Sequence, residues 1–397
     1  MICLRLNITM KTFYAFILAI LFAQLALAQV PKPILTDNPL KDHIDSAVQK
    51  GAVAYLQNAG TVGISIGIYK NGISHIYNYG ESIKGTGILP KPDQFFNLGS
   101  VAKTFVGTML AEAVIEKKVK LTDDIRLYLP GKYPNLEYQG HPVTLVEIAN
   151  HTSGLPGSSR TFPDRIMDSI QKLSFPKQVQ FFMRYNQDSL LKDMHQLKID
   201  TIPGTKYRYN GNAMMILTYL LERIYNEPYE ELVTKYLKTH LGMYDTRTRI
   251  PVKQFGRFMQ GYNEKGTAVK WLDVANERDT DINTTLFYAG GPSMNSTMND
   301  MMKYLKAQLT EADPAIKLTH QLTWGPNPKE FAIGLNWMYD LEDGVKDYYH
   351  SGHTGIGFNT VCEFYPEEQV GLMIVVNDNI SQDKVAQLET DIHKAMK

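Results

Sequence analysis

Hydrophobic and polar positions alternate along residues 62–69, stop at Asn71-Gly72, and resume along 73–79. Period-two alternation marks strands, and Asn-Gly between two such runs is a hairpin turn. The pattern predicts a second hairpin where residues 358–365 and 370–376 flank Pro366-Glu367-Glu368. Elsewhere the period is helical. Ile44, Val48, Ala52 and Leu56 predict a helix over 37–57 with Asp37 as its cap. Val101, Phe105, Val106, Met109, Leu110, Ala113 and Val114 predict an apolar helix that opens at Ser100 and runs to about Lys117. A last helix is predicted over 381–397. Residues 121–288 are mostly helical in pattern, punctuated by Pro and Gly, and 164–198 carries no usable motif. Strands near both ends with helices between them predict an α/β (α+β) fold. One antiparallel sheet, flanked by helices, is then built from both chain ends, about 36–120 and 290–397, with a helical insertion at about 121–289. There is no internal repeat.

The N-terminus changes the picture of where the chain works. Lys11 precedes an apolar run over 13–23, and Ala26-Leu27-Ala28 closes the stretch. These are the three regions of a secretory signal, and the run is shorter than the ~20 residues a spanning helix needs. Residues 1–28 are therefore expected to be removed, leaving a domain over 36–397 in the periplasm or medium with no stable membrane anchor. Met10 is an equally complete starting point for that signal.

Composition narrows the class. The 397 residues carry 41 Lys+Arg against 41 Asp+Glu, for a formal net charge of zero. No basic excess exists to neutralise phosphates, which argues against nucleic acid as a partner. Of the two cysteines, Cys3 lies in the expected signal. Cys362 is then alone, with no disulfide partner and no cysteine metal cage. Its neighbours Val361, Glu363 and Phe364 read as strand, so it is a packed small residue rather than a nucleophile.

Ser-x-x-Lys puts a hydroxyl and an amine on one face of a helix, one turn apart. The pattern is cheap, occurring at Ser100/Lys103, Ser169/Lys172, Ser174/Lys177, Ser189/Lys192 and Ser381/Lys384. Only Ser100 starts a helix apolar enough to be buried, whose free N–H groups and positive dipole end favour a developing anion. A dry site disfavours the charged form of a lysine, and a neutral amine can take a serine proton. On this segment alone, a helix cap with a snorkelling lysine explains the pattern equally well.

The rest of the chain breaks the tie. In order come Leu145-Val146-Glu147-Ile148-Ala149-Asn150-His151-Thr152-Ser153-Gly154-Leu155-Pro156, Pro203-Gly204-Thr205-Lys206-Tyr207-Arg208-Tyr209, Ala289-Gly290-Gly291-Pro292-Ser293, Ser296-Thr297 with Asp300, Gly334-Leu335-Asn336-Trp337, and His350-Ser351-Gly352-His353-Thr354-Gly355-Ile356-Gly357-Phe358. In this order and spacing the sequence resembles the serine β-lactamase-like family over about residues 37–377. That family includes class C β-lactamases, D-alanyl-D-alanine carboxypeptidases, D-aminopeptidases and esterases of the same fold. The resemblance implies Ser100 as nucleophile, with Lys103 and Tyr209 handling protons jointly. Tyr207 falls where the family has packing aromatics. The position two after Tyr209 is Gly211, where the family usually has an asparagine that holds the substrate amide. Asn212 comes one residue late and substitutes only if the loop bulges.

The family's third motif is Lys-Thr-Gly or His-x-Gly. Two registers fit: His350-Ser351-Gly352, with one extra residue before Gly357-Phe358, or His353-Thr354-Gly355, with two fewer. In the first register, which we adopt, the N–H of His353 is the second oxyanion donor and His350 faces the substrate. The family's usual lysine is absent in both. A metal held by His350 and His353 is not expected, since i and i+3 on a strand point to opposite faces. The 150–154 stretch reads as a hydrogen-bonded turn, and Gly290-Gly291 as a close backbone approach. Gly63-Ile64-Ser65-Ile66-Gly67 matches a nucleophile elbow in letters only, because Ser65 sits inside an alternating strand.

The expected function is acyl transfer to water from a small-molecule or peptide substrate with no cofactor, an ester or D-amino-acid peptide being favoured over efficient turnover of a β-lactam. A binding or scaffold protein of the same fold is the competing reading. Intact Ser100, Lys103 and Tyr209 argue against it, and Gly211 argues for it.

Overall fold

A computed structural model of the chain describes residues 33–156, 186–269, 294–325, 330–342 and 344–397, with single positions between 169 and 177 and at 327. The expected signal at 1–28, Gly290-Gly291 and much of 164–198 lie outside the described residues.

The first helix, α1 (His43–Leu56), begins later than its periodicity predicts. Pro39 disfavours helical backbone at the residue before it, and Leu40 takes a positive φ of 52°. Asp42, not Asp37, is the cap, accepting from the Asp45 N–H. Asp37 instead holds Asn78, accepting from its backbone N–H and its side-chain amide at 2.7 Å each. Strands β1 (Gly63–Lys70) and β2 (Ile73–Gly80) form the predicted hairpin, and β3 (Phe96–Asn97) is a short rung. A 3₁₀ turn over Gly99–Val101 leads into α2 (Ala102–Ile115). Eleven of the 14 residues of α2 are buried, as expected of a helix apolar all round.

Two short rungs, β4 (Glu137–Tyr138) and β5 (His141–Pro142), precede α3 (Leu145–Ala149), which opens on a capping box between Thr144 and Glu147. Then come α4 (Gln187–Met194), α5 (Gly211–Tyr225) and α6 (Tyr229–Leu241). After β6 (Asn295–Ser296), which pairs with β3, come α7 (Met298–Thr310) and α8 (Pro314–Thr319). Strands β7 (Ala332–Ile333), β8 (Met338–Glu342), β9 (Val345–Thr354), β10 (Phe358–Tyr365) and β11 (Val370–Val376) return the chain to the sheet. The chain closes on α9 (Gln382–Met396), capped by Ser381.

The main sheet has seven strands in the order β2-β1-β11-β10-β9-β8-β7, every pair antiparallel. Its middle strands join the two chain ends: β1 pairs with β11, Ile66 opposite Ile374. Every residue of β10 and β11 is buried, so both faces are covered. On one face Tyr365 stacks on His393 of α9 at 3.6 Å. On the other, Phe364 meets Trp337 edge-on at 5.0 Å, and the sulfurs of Met298 and Met302 in α7 crowd against Gly67. Contacts gather residues 36–397 into one unit. No helix among the described residues is long and apolar enough to cross a membrane.

Candidate active site

Ser100 lies in the 3₁₀ turn that feeds α2, and its Oγ accepts a hydrogen bond from Lys103 Nζ at 2.8 Å. Lys103 is buried, 6% exposed. The turn is held from behind: Gly99 N–H donates to Asn97 Oδ1, Asn97 Nδ2 donates to Asn295 Oδ1, and Thr360 Oγ1 donates to the Leu98 carbonyl. Gly99 has φ 54°, a conformation open to glycine at little cost.

The other wall is β9. Beyond Tyr349 this strand pairs only with β10, since β8 ends opposite Tyr349, and its free edge faces the Ser100 turn. The approach is close enough to exclude side chains. A methyl on Gly352 would lie 2.3 Å from the Leu98 carbonyl oxygen and 3.1 Å from Ser100 N. One on Gly99 would lie 2.8 Å from His353 N. The Gly352-His353 backbone and the start of α2 therefore touch. His350 and His353 occupy opposite faces, one buried and the other exposed. His353 Nδ1 meets Asn359 Oδ1 at 2.8 Å, and Asn359 spends its Nδ2 on the Asp378 carbonyl.

His350 is 1% exposed, and its ring centre lies 6.1 Å from that of Tyr209. Its Nδ1 donates to the Ser351 carbonyl at 2.8 Å, which leaves Nε2 as a lone pair without a hydrogen bond. Burial and then the charge of Lys103 push its pKa down to about 3, against the opposing pull of the Ser351 carbonyl.

Tyr209 closes the third side and is 40% exposed. Lys103 Nζ stands 5.3 Å from its ring centre, within cation–π range. Asn210 follows and caps α5, its Oδ1 accepting from the N–H groups of Asn212 and Ala213. The helix starts at Gly211 with no extra residue, and Asn212 is its second residue, 8% exposed. Asn210 also ties the site to the 150–156 turn, donating from Nδ2 to the carbonyls of Leu155 and Pro156. Tyr207 sits in an aromatic cluster, 4.7 Å from Phe331 and 5.9 Å from Trp324.

Sequence reasoning passed over three buried polar residues beside this group. His151, read as part of a turn, packs its ring 4.5 Å from Tyr209. Burial, then the charge of Lys103 and the nearby His350 drive its pKa well below the ordinary value, while Asn336 beside it works the other way. Asn336 is fully buried on a loop that α2 approaches so closely that a methyl on Gly107 would meet the Leu335 carbonyl at 2.2 Å. Asn210 had a usable signal, since Asn directly before Gly and an apolar helix is a cap pattern.

Other candidates fall away from the site. Ser65 is buried in the middle of β1, donating to Asn78 Oδ1. Ser189 and Ser381 belong to helix N-termini. Cys362 is a buried free thiol whose pKa burial raises.

Comparison with known proteins adds the family. The Beta-lactamase family model matches residues 44–397. A β-lactamase of Lysobacter lactamgenus is 28% identical over 313 residues, covering 78% of this chain and 70% of its own. The D-alanyl-D-alanine-carboxypeptidase/endopeptidase AmpH of Escherichia coli is 24% identical over 387 residues, covering 92% and 91%. Among solved structures, a β-lactamase/D-alanine carboxypeptidase from Yersinia pestis superposes with a TM-score of 0.70 at 24% identity, over 88% of this chain and 98% of that one. A class C β-lactamase does so at 0.71 and 20%, over 89% and 96%. The structural likenesses speak for the fold, and the family model, which spans most of the chain, speaks for descent: this chain belongs to the Beta-lactamase family.

Proposed function

We propose that the protein is an exported serine hydrolase that works through an acyl-enzyme on Ser100 and favours small uncharged esters over β-lactams. The observation that carries the reading is the 2.8 Å hydrogen bond from a buried Lys103 to Ser100 Oγ at the start of a buried helix. In the reaction, the Lys103/Tyr209 pair starts one proton short, as a neutral Lys103 amine or a Tyr209 phenolate, and takes the Ser100 hydroxyl proton as Oγ bonds to the substrate carbonyl carbon. The N–H groups of Ser100 and His353 receive the oxyanion, and one such donor is worth ~10²–10³ in rate. The same pair returns the proton to the leaving alcohol or amine, and water cleaves the acyl-enzyme. The AmpH and β-lactamase relatives support hydrolysis as the reaction class. Export rests on the signal pattern of residues 1–28.

The substrate preference follows from two groups. A β-lactam carries a carboxylate and a side-chain amide. His350 is neutral at working pH, so it offers no fixed cation, and Gly211 offers no amide clamp. A hydrogen bond is worth ~0.5–1.5 kcal/mol when neutral and ~1.5–3 kcal/mol when charged. Losing both predicts a deficit of about 100-fold or more against a dedicated β-lactamase. The test has two arms. A fluorophosphonate probe followed by mass spectrometry should label Ser100, with labelling abolished in Ser100→Ala and retained in Ser65→Ala. No label, or label on Ser65, overturns the hydrolase reading. Then kcat/KM for p-nitrophenyl butyrate should exceed that for nitrocefin. Nitrocefin turnover near ~10⁷–10⁸ M⁻¹s⁻¹ would overturn the ester preference alone.

A further inference from the structure

His151 holds the residues on both sides of Tyr209. Its backbone carbonyl accepts from the Arg208 N–H at 2.8 Å, and its Nδ1 accepts from the Asn210 N–H at 3.2 Å. The residue between them carries the phenol beside Lys103. A ring nitrogen that accepts from an N–H bears no proton, so His151 is in the tautomer with hydrogen on Nε2. The ring is 1% exposed and packs against that of Tyr209, 4.5 Å centre to centre and tilted by 42°. Its backbone sits at φ 61°, a left-handed conformation uncommon for a side chain of this kind.

The surroundings hold that conformation in place. The Thr152 carbonyl accepts from Gly204 N–H, the Glu147 carbonyl accepts from Thr152 N–H, and Asn150 Oδ1 accepts from Thr152 Oγ1 at 2.6 Å. A methyl on Gly154 would meet the Thr201 carbonyl oxygen at 2.8 Å. The 150–156 turn and the 201–210 segment are thus fastened along their length, and His151 is the fastening at Tyr209.

We propose that His151 is the positioning residue for Tyr209, its Nδ1 lone pair and backbone carbonyl clamping the chain on either side of the phenol so that the hydroxyl stays in reach of the Ser100/Lys103 pair. This rests on the hydrolase reading. Protonating Nδ1 would expel the Asn210 N–H and place a second charge next to Lys103, and the buried setting that keeps the ring neutral also keeps the clamp closed.

The discriminating variants differ in one acceptor. In His151→Asn the Oδ1 atom occupies about the place of Nδ1, and Asn tolerates left-handed backbone. In His151→Gly the backbone is equally at ease and its carbonyl stays, but no side-chain acceptor remains for the Asn210 N–H. His151→Gln places its oxygen near Nε2 instead, so it also lacks the side-chain acceptor for Asn210 N–H, and it carries the comparison if the glycine variant melts below the assay temperature. Phosphonylation of Ser100 by the fluorophosphonate, with fluoride leaving, measured as a second-order rate, should stay within about 3-fold of the unaltered protein for Asn and fall about 10-fold or more for Gly and Gln. Tyr209→Phe should cost about 100-fold in the unaltered background and much less in His151→Gly, since a displaced phenol has little left to lose. The ¹⁹F resonance of 3-fluorotyrosine at position 209 should hold its shift in the Asn variant and move toward the free amino acid in Gly and Gln. Equal rates for Asn, Gly and Gln, additive losses in the double variant, or an unmoved resonance would each overturn the clamp. If the unaltered protein is not labelled at Ser100 at all, the hydrolase reading fails, and the ¹⁹F shift alone decides whether His151 holds Tyr209.

Discussion

Tyr209 and Tyr207 are two residues apart and separated by environment. Tyr209 is 40% exposed, with Lys103 over its ring. Tyr207 is packed against Phe331 and Trp324, and burial raises its pKa. Tyr209→Phe removes the hydroxyl from a ring whose centre stands 5.3 Å from Lys103 Nζ and should slow acylation by ~10² or more, the scale of general acid–base groups. Tyr207→Phe should change the rate by less than about 3-fold. A stopped-flow comparison of the two decides it, and the reverse order would mean that the tyrosine motif is displaced by two residues. The Ser100–Lys103 pair was legible in part, since Ser-x-x-Lys spacing sets the two side chains one turn apart, but only the order of motifs along the rest of the chain separated it from the other four such pairs. His151 was not legible. Its bond to Asn210 joins residues 59 apart in sequence, and no periodicity reports such a pairing. The turn it belongs to was visible, and the direction of its ring was not.

Among elements, the hairpins read best because turn chemistry fixes them. Asn71 and Gly72 both take positive φ, 49° and 87°, as an Asn-Gly turn requires. The start of α1 read worst, because apolar spacing continues through Pro39 while the backbone cannot. The contact between β9 and the start of α2 was implied only by the family resemblance, since nothing local to either segment encodes it. That contact is backbone on backbone at Gly352. Gly352→Ala would set a methyl 2.3 Å from both the Leu98 carbonyl oxygen and Thr360 Oγ1, and the first of these cannot rotate away. The Ser100 turn and β9 must then separate by several tenths of an ångström or more. Misplacement of that order can cost about 100-fold. Ser351→Ala, on the neighbouring half-exposed position, serves as the control and should cost far less. Retention of near-full activity by Gly352→Ala would show that the two backbones need not touch for catalysis.

At the scale of the molecule, the neutrality of His350, on which the proposed substrate preference rests, also has a thermodynamic signature. His151, His320 and His350 are all buried, and burial holds each pKa below the ordinary histidine value, that of His350 at about 3. In the unfolded chain each takes up a proton near pH 6.5. Between pH 6.5 and 3 the unfolded chain therefore binds more protons at His350 than the folded protein does. Stability then rises with pH through that window and is lost as pH falls, by up to about 1.4 kcal/mol per pH unit for each such histidine. Carboxylates held low, including Asp45, Glu311 and Glu368, add their own acid loss, centred below about pH 4.5. Carboxylates held high by partial or full burial, among them Glu147, Glu222 and Asp378, act in the opposite direction. The difference between the unaltered protein and His350→Gln isolates the one group. From pH 7 to pH 5 the melting temperature of the unaltered protein should fall by several degrees more than that of the glutamine variant, whose side chain does not titrate. Parallel curves for the two proteins would mean that His350 keeps an ordinary affinity for protons in the folded state. It would then be a titrating cation in reach of a substrate carboxylate, and the argument for uncharged esters would lose its main support.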